Sequence, residues 1–219
     1  MNIFDIIGPV MIGPSSSHTA GAARLGYVAR KILGESPAQA AIQLSGSFAQ
    51  TFRGHGTDKA LLAGILGFRP DDARLRDSLA LAEQQGLDYF LRCEAIPNAH
   101  PNTARITLTG SGGKTASILG ASVGGGNILI TEINDMPVHV TGQNSTLVIL
   151  HLDKPGTIAA VTNYVACSSI NIGSFRLSRP HKGGEAVMTI EVDGDIPDTL
   201  AEHLKTLPNI IRVVLIRAV

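Results

Sequence analysis

Leu147-Val148-Ile149-Leu150-His151-Leu152-Asp153-Lys154-Pro155-Gly156-Thr157 is an apolar run that ends in a charged turn and gives way to residues repeating at helical spacing. The run predicts a strand over residues 147–152, and Ile158, Val161 and Val165 form one stripe of a helix over residues 157–166. Residues 170–177 read as a second strand, and Ala186, Met188, Ile190 and Val192 alternate along a third at residues 186–192. Leu200, Leu204 and Leu207 return every turn of a helix over residues 198–207, and residues 210–216 read as a last strand. The order βαββαβ is the split-βαβ, ferredoxin-like plan: four antiparallel strands with both helices on one face. It leaves a sheet edge able to pair with another copy.

Upstream the pattern differs. A polar joint, Thr141-Gly142-Gln143-Asn144-Ser145, separates the two grammars, so we expect domains at residues 1–142 and 146–219. In the first, Leu25, Val28, Ala29, Ile32 and Leu33 share a stripe of a helix over residues 19–33, stopped by Gly34. Residues 41–44 suit a short strand, Gly54-His55-Gly56-Thr57-Asp58 a loop, and Leu61, Leu62, Ile65 and Leu66 a second helix. A third helix is expected after Asp71 and Asp72, with Leu75, Leu79 and Ala82 on one face and Gly86 closing it. Ile106 with Leu108, residues 117–122 and residues 128–133 then read as strands joined by glycine-rich turns. The fold class is therefore α+β: a mixed α/β domain followed by a ferredoxin-like βαββαβ domain.

Composition narrows the function. The 219 residues carry 18 basic and 18 acidic side chains, which offers no field for a polyanion and argues against a nucleic-acid partner. Charged residues make up only 16%, so part of the surface is expected to be covered by another chain. Residues 1–13 hold Asp5 and Pro9 but no Lys or Arg, unlike a signal peptide, and no run approaches the roughly 20 apolar residues that cross a bilayer. Cys93 and Cys167 are far apart and match neither a disulfide framework nor a metal knuckle. A reducing cytoplasm and no membrane are the expectation.

Several chemistries drop out. Gly113-Lys114-Thr115 lacks the P-loop glycine five positions earlier, where Leu108 stands. No G-x-G-x-x-G, H-E-x-x-H or G-x-S-x-G pattern occurs. What remains is Gly13-Pro14-Ser15-Ser16-Ser17-His18-Thr19 where a helix starts. Free backbone N–H groups and the positive dipole end, joined by the hydroxyls of Ser15, Ser16, Ser17 and Thr19, suit a carboxylate or phosphate. One hydroxyl would serve as a cap; three serines beside a histidine exceed that need. Two more histidines, His55 with Thr57 and Asp58, and His100 in Asn98-Ala99-His100-Pro101-Asn102-Thr103, point to a convergent site.

The serine motif, together with Gly46-Ser47-Phe48-Ala49, Gly54-His55-Gly56-Thr57-Asp58-Lys59-Ala60 and His100-Pro101-Asn102-Thr103, resembles the β chain of the bacterial iron–sulfur-dependent L-serine dehydratases over essentially the whole chain. That resemblance implies a cysteine-rich α chain carrying an oxygen-sensitive [4Fe-4S] cluster, the two chains together converting L-serine to pyruvate and ammonia in cytoplasmic amino-acid metabolism and gluconeogenesis. A cubane normally needs three or four thiolates, and two unclustered cysteines cannot supply them, so no metal is expected on this chain. In the implied mechanism an iron acts as Lewis acid on the serine hydroxyl while a base takes the α-proton. Ser15, Ser16, Ser17 and Thr19 are assigned to substrate, with Thr57, Asp58 and Asn102 as supporting polar groups, and His18, His55 and His100 are the candidates for proton handling. Which of the three is the base stays open. The competing reading is a non-catalytic amino-acid-binding regulatory or assembly subunit.

The second domain resembles the ACT regulatory module, whose members bind amino acids where the first strand-to-helix loop meets a neighbouring copy. The matching residues are His151, Asp153 and Gly156, with Asn171 and Ile172 at the second strand. The resemblance implies L-serine as a possible effector and ACT-mediated dimerisation. Asp153 stands where the module often has Asn.

Overall fold

A computed structural model describes residues 11–217. The first ten of residues 1–13, read above for a leader, lie outside the described residues. The chain divides at the Asn134-Asp135 turn into two compact units.

In the first unit a π-helical turn, Ser16–Gly21, runs directly into α1 (Ala22–Leu33), which Gly34 ends in the left-handed conformation. The strand expected at residues 41–44 extends over β1 (Pro37–Ser45). The segment expected as a loop is almost wholly helical. Gly46–His55 forms α2 and Thr57–Leu66 forms α3, with Gly56 alone between them at φ 69°. His55 is thus the last residue of one helix, and Thr57 and Asp58 open the next. Two glycines in ten residues conceal α2, yet the fully buried Phe48 secures it, because tertiary packing outweighs a weak propensity. The third expected helix is a 3₁₀ turn, Ala73–Asp77, followed by a short α4, Ser78–Gln84.

Strand β2 (Asp88–Cys93) has no counterpart in the sequence reading. It pairs parallel to β1 at the sheet edge, where its exposed residues need no apolar alternation. Then follow β3 (Asn102–Gly110), β4 (Thr115–Gly124) and β5 (Asn127–Ile133), where strands were expected; a short β6 (Met136–Val140), which was not, opens the second unit. The strand order within the first unit is β2-β1-β3-β4-β5. Helix α1 packs on β3 and β4 and crosses α3 at very short range. A Cβ on Gly64 would overlap the Ala23 carbonyl and lie 2.6 Å from the Tyr27 nitrogen, and one on Gly26 would overlap the Leu61 carbonyl. Glycine at these two positions lets the backbones of α1 and α3 come into direct contact.

The second unit follows its expectation closely: β7 (Thr146–Leu152), α5 (Thr157–Cys167), β8 (Ile172–Ser178), β9 (Glu185–Val192), α6 (Asp198–Lys205) and β10 (Ile210–Ile216). Its four strands are antiparallel in the order β10-β7-β9-β8. Leu147, Ile149, Met188 and Ile190 meet Val161, Val165, Leu200 and Leu204 in one core.

The glycine crossing is directly testable by urea unfolding. Gly64→Ala is expected to cost about 1–3 kcal/mol through overpacking. Gly54→Ala in α2, where an added Cβ meets nothing within 4 Å, is expected to be neutral or to gain up to about 1 kcal/mol. Equal midpoints for the two variants would contradict this account of the α1–α3 contact.

Candidate functional site

The π-helical turn places the serine motif. Ser15 is its N-cap: the His18 N–H donates to Ser15 Oγ at 3.2 Å, and the Thr19 N–H donates to the Ser15 carbonyl at 2.8 Å. A π turn inserts an extra residue relative to an α-turn and is frequent at functional sites. Here it buries His18 and Thr19 while Ser15, Ser16 and Ser17 stay half-buried.

Helix α2 meets this turn along one face. Ser47, Thr51 and His55 recur every four residues, so they lie on one stripe. Ser47 Oγ is 3.3 Å from His18 Nε2, and Ser15 Oγ is 3.4 Å from His18 Nδ1. The His55 ring stands edge-on to His18 with centroids 4.7 Å apart, and the Phe48 ring does so at 5.2 Å. The buried imidazole of His18 is therefore held on both nitrogens and walled by two rings, while His55 is exposed. Burial first, and the neighbouring His55 second, lower the His18 pKa from its ordinary 6.5; hydrogen bonding to the Ser47 backbone opposes them. His18 is accordingly a neutral imidazole at neutral pH, able to accept a proton.

The His100 segment reaches the start of α2. Gly46 bridges Asn102, and the Phe48 N–H donates to the Pro101 carbonyl at 3.3 Å. A Cβ on Gly46 would lie 2.5 Å from that same carbonyl oxygen, so glycine permits the approach. His100 is exposed and accepts the Asn102 N–H at Nδ1, 3.1 Å away. Asn102 Nδ2 donates to the Ser122 carbonyl at 3.5 Å, and the Ser122 side chain abuts Gly21 of the π turn. Thr57 is fully buried with its hydroxyl unbonded. The Asp58 carboxylate accepts the Lys59 N–H and acts on Tyr89, whose phenol is raised first by burial, then by Glu83 and Asp58.

The structure thus brings Ser15, His18 and His55 together and ties Asn102 to the start of α2; it shows no contact of His100 with either histidine. Two residues carried no individual assignment from sequence, Ser47 and Ser122. Ser47 lay inside a quoted motif, and its spacing to Thr51 and His55 would have marked it had α2 been foreseen. Nothing marked Ser122 in a strand of small residues.

In the second unit His151 is buried, its Nδ1 2.9 Å from the Leu152 carbonyl oxygen and its Nε2 unbonded. Asp153 pairs with Arg179 and accepts the Gly183 N–H at 3.0 Å; these contacts, the backbone one first, lower its pKa. Gly156 has φ 88° ahead of α5, where no side chain is comfortable. Asn171 donates to Asp193 at 2.5 Å, and Ile172 opens β8 half-buried. Asp153 and Asn171 share no hydrogen bond.

Among the described residues no group of three or more His, Cys, Asp or Glu could hold a metal ion, and Cys93 and Cys167 are both free and exposed, one in each unit. This donor set does not fit a cubane cluster. Nor is any described helix long and apolar enough to cross a membrane.

The serine dehydratase beta chain family matches residues 2–86, and the ACT domain family matches residues 145–209. A probable L-serine dehydratase beta chain of Bacillus subtilis is 47% identical over 97% of this chain and 96% of its own length. The L-serine dehydratase beta chain of Peptoniphilus asaccharolyticus is 39% identical over 90% of this chain and 89% of its own. An ACT domain from the GTP pyrophosphokinase of Chlorobium tepidum overlays 32% of this chain and 94% of that one at 20% identity and TM-score 0.29.

The depressed His18 pKa has a signed consequence. Below pH 6.5 the unfolded chain takes up a proton that the folded chain resists, so this group's contribution to stability is complete above 6.5. Stability falls as pH drops from 6.5 toward the folded-state value. Histidine-resolved NMR titration is expected to find His18 below 6.5, and His55→Gln to raise it; a His18 that titrates at or above 6.5 would contradict the burial argument.

Proposed function

Because this chain belongs to the family of L-serine dehydratase beta chains with a C-terminal ACT domain, we propose that it is the substrate-handling subunit of a two-chain enzyme that converts L-serine to pyruvate and ammonia. A beta chain implies an alpha chain. That alpha chain carries the [4Fe-4S] cluster, in keeping with the donors among the described residues of this chain, which do not fit one.

The observation that carries the reading is the convergence of Ser15, His18 and His55 where the π turn meets α2. Dehydration of an α-amino acid requires removal of the Cα proton, and an imidazole kept neutral by burial and a neighbouring histidine accepts one. His18, His55 and His100 are the proton-handling candidates. The hydroxyls of Ser15, Ser16, Ser17 and Thr19 receive the carboxylate or ammonium of serine, and Thr57, Asp58 and Asn102 support them. Residues 1–142 form this catalytic half and residues 146–219 the ACT half. In the latter, His151, Asp153, Gly156, Asn171 and Ile172 take an amino-acid effector, serine by preference, beside a second copy. The enzyme works in the cytoplasm, feeding gluconeogenesis, with no nucleic-acid or membrane partner.

Anaerobic reconstitution tests this. Pyruvate is expected from serine only when a cysteine-rich partner chain is present, and turnover by the isolated, iron-free chain would contradict the assignment. His55→Ala in the complex is expected to lower kcat at least about 100-fold, as loss of a proton-transfer group does. A nearly unchanged kcat would favour the non-catalytic subunit instead. For the effector site, serine is expected to raise the melting temperature of the full chain, and Asp153→Ala to abolish that rise. Identical shifts in both proteins would remove Asp153 from the effector site.

A further inference from the structure

We propose that Ser47 is a positioning residue for the reaction: its hydroxyl accepts the Nε2 hydrogen of His18 and locks that imidazole in the Nε2–H tautomer, leaving Nδ1 as the acceptor. Ser15 Oγ already accepts the His18 backbone N–H, at 3.2 Å. Its own hydrogen is then free to give, and the atom within reach is His18 Nδ1 at 3.4 Å. Once Nδ1 accepts that hydrogen it carries none of its own, and the neutral ring then bears its hydrogen on Nε2. That nitrogen faces Ser47 Oγ at 3.3 Å.

Ser47 is placed for this task. Gly46, at φ 57°, lets the start of α2 close on Pro101 and Asn102. Thr51 Oγ1 donates to the Ser47 carbonyl at 2.8 Å, not to its hydroxyl, so no described residue competes for Ser47 Oγ. The Phe48 and His55 rings, inclined to His18 by 65° and 66°, prevent the imidazole from lying flat against either one. Burial and His55 keep the ring uncharged, the condition under which a single tautomer has meaning. With Nε2–H donated to it, the Ser47 hydroxyl keeps its own hydrogen for an incoming oxygen, and a carboxylate is the chemical class that accepts it. Ser47 thus acts through His18 and through its own remaining donor.

The effect on turnover rests on the serine lyase reading; the tautomer does not, and the test separates them. Two-bond nitrogen–proton NMR of the full chain with ¹⁵N-labelled histidine is expected to show wild-type His18 as Nε2–H. Ser47→Ala is expected to give mixed tautomers, and Ser47→Thr, which keeps an oxygen, to restore the wild-type pattern. In the complex with the cysteine-rich chain, Ser47→Ala is expected to lower kcat roughly tenfold and to move the acidic limb of its pH profile, with recovery in Ser47→Thr. His18 protonated on Nδ1 in the wild-type chain, a measurement that needs no variant, would overturn the proposal. So would a Ser47→Ala variant with an unaltered tautomer, or one with mixed tautomers but unchanged kcat in an active complex. The expected tautomers in a complex that makes no pyruvate would uphold the Ser47–His18 bond and sink the lyase reading alone.

Discussion

Both nitrogens of the buried His18 imidazole face a hydroxyl, that of Ser15 three residues away in sequence and that of Ser47 29 residues away. Ser15 belongs to the cap of the π turn and Ser47 to the first turn of α2. The geometry of one ring therefore ties the start of the first helical segment to the helix that follows β1. His55, one helix length beyond Ser47 on the same stripe, is brought to the ring's edge by the same constraint. The α1–α3 glycine crossing supports it from behind: α1 continues the π turn, and α3 continues α2 with only Gly56 between.

The legibility of the two halves from sequence differed for a physical reason. In the second unit, helices α5 and α6 each bury one stripe, so helical period and burial coincide, and the boundaries came within about two residues. In the first unit the informative pattern is local close approach. Gly54 and Gly56 read as the bounds of a loop, yet Gly54 sits inside a helix held by Phe48, and Gly46 at the start of that helix admits the Pro101 carbonyl. β2 was invisible because an edge strand with an exposed Phe90 has no apolar period to show. The motif residues were found by chemistry and spacing, but the partner of His18 was not, because Ser47 gains its significance only once α2 is helical.

Asp153 and His151 show how differently the second unit uses its polar groups. The Asp153 carboxylate is already bonded by the Gly183 N–H and Arg179, which tie the β7–α5 loop to the β8–β9 loop. A ligand arriving there exchanges existing bonds for new ones, so its binding free energy is a difference between two satisfied states. His151, by contrast, has a buried Nε2 without a partner behind that loop, and Thr157 next to the Gly156 turn has a buried hydroxyl in the same condition.

Unbonded buried polar atoms also gather in the elements that carry the first unit's motifs. Thr19 Oγ1 lies in the π turn, Thr57 Oγ1 two residues after His55, Asn102 Oδ1 two residues after His100, and Ser122 Oγ against Gly21. Each such atom costs about 1–3 kcal/mol when left unpaired, and a domain of this size has only about 5–15 kcal/mol of stability in all. On the proposed function, Thr19 and Asn102 would recover part of that cost if their unbonded atoms met the carboxylate or ammonium of the substrate.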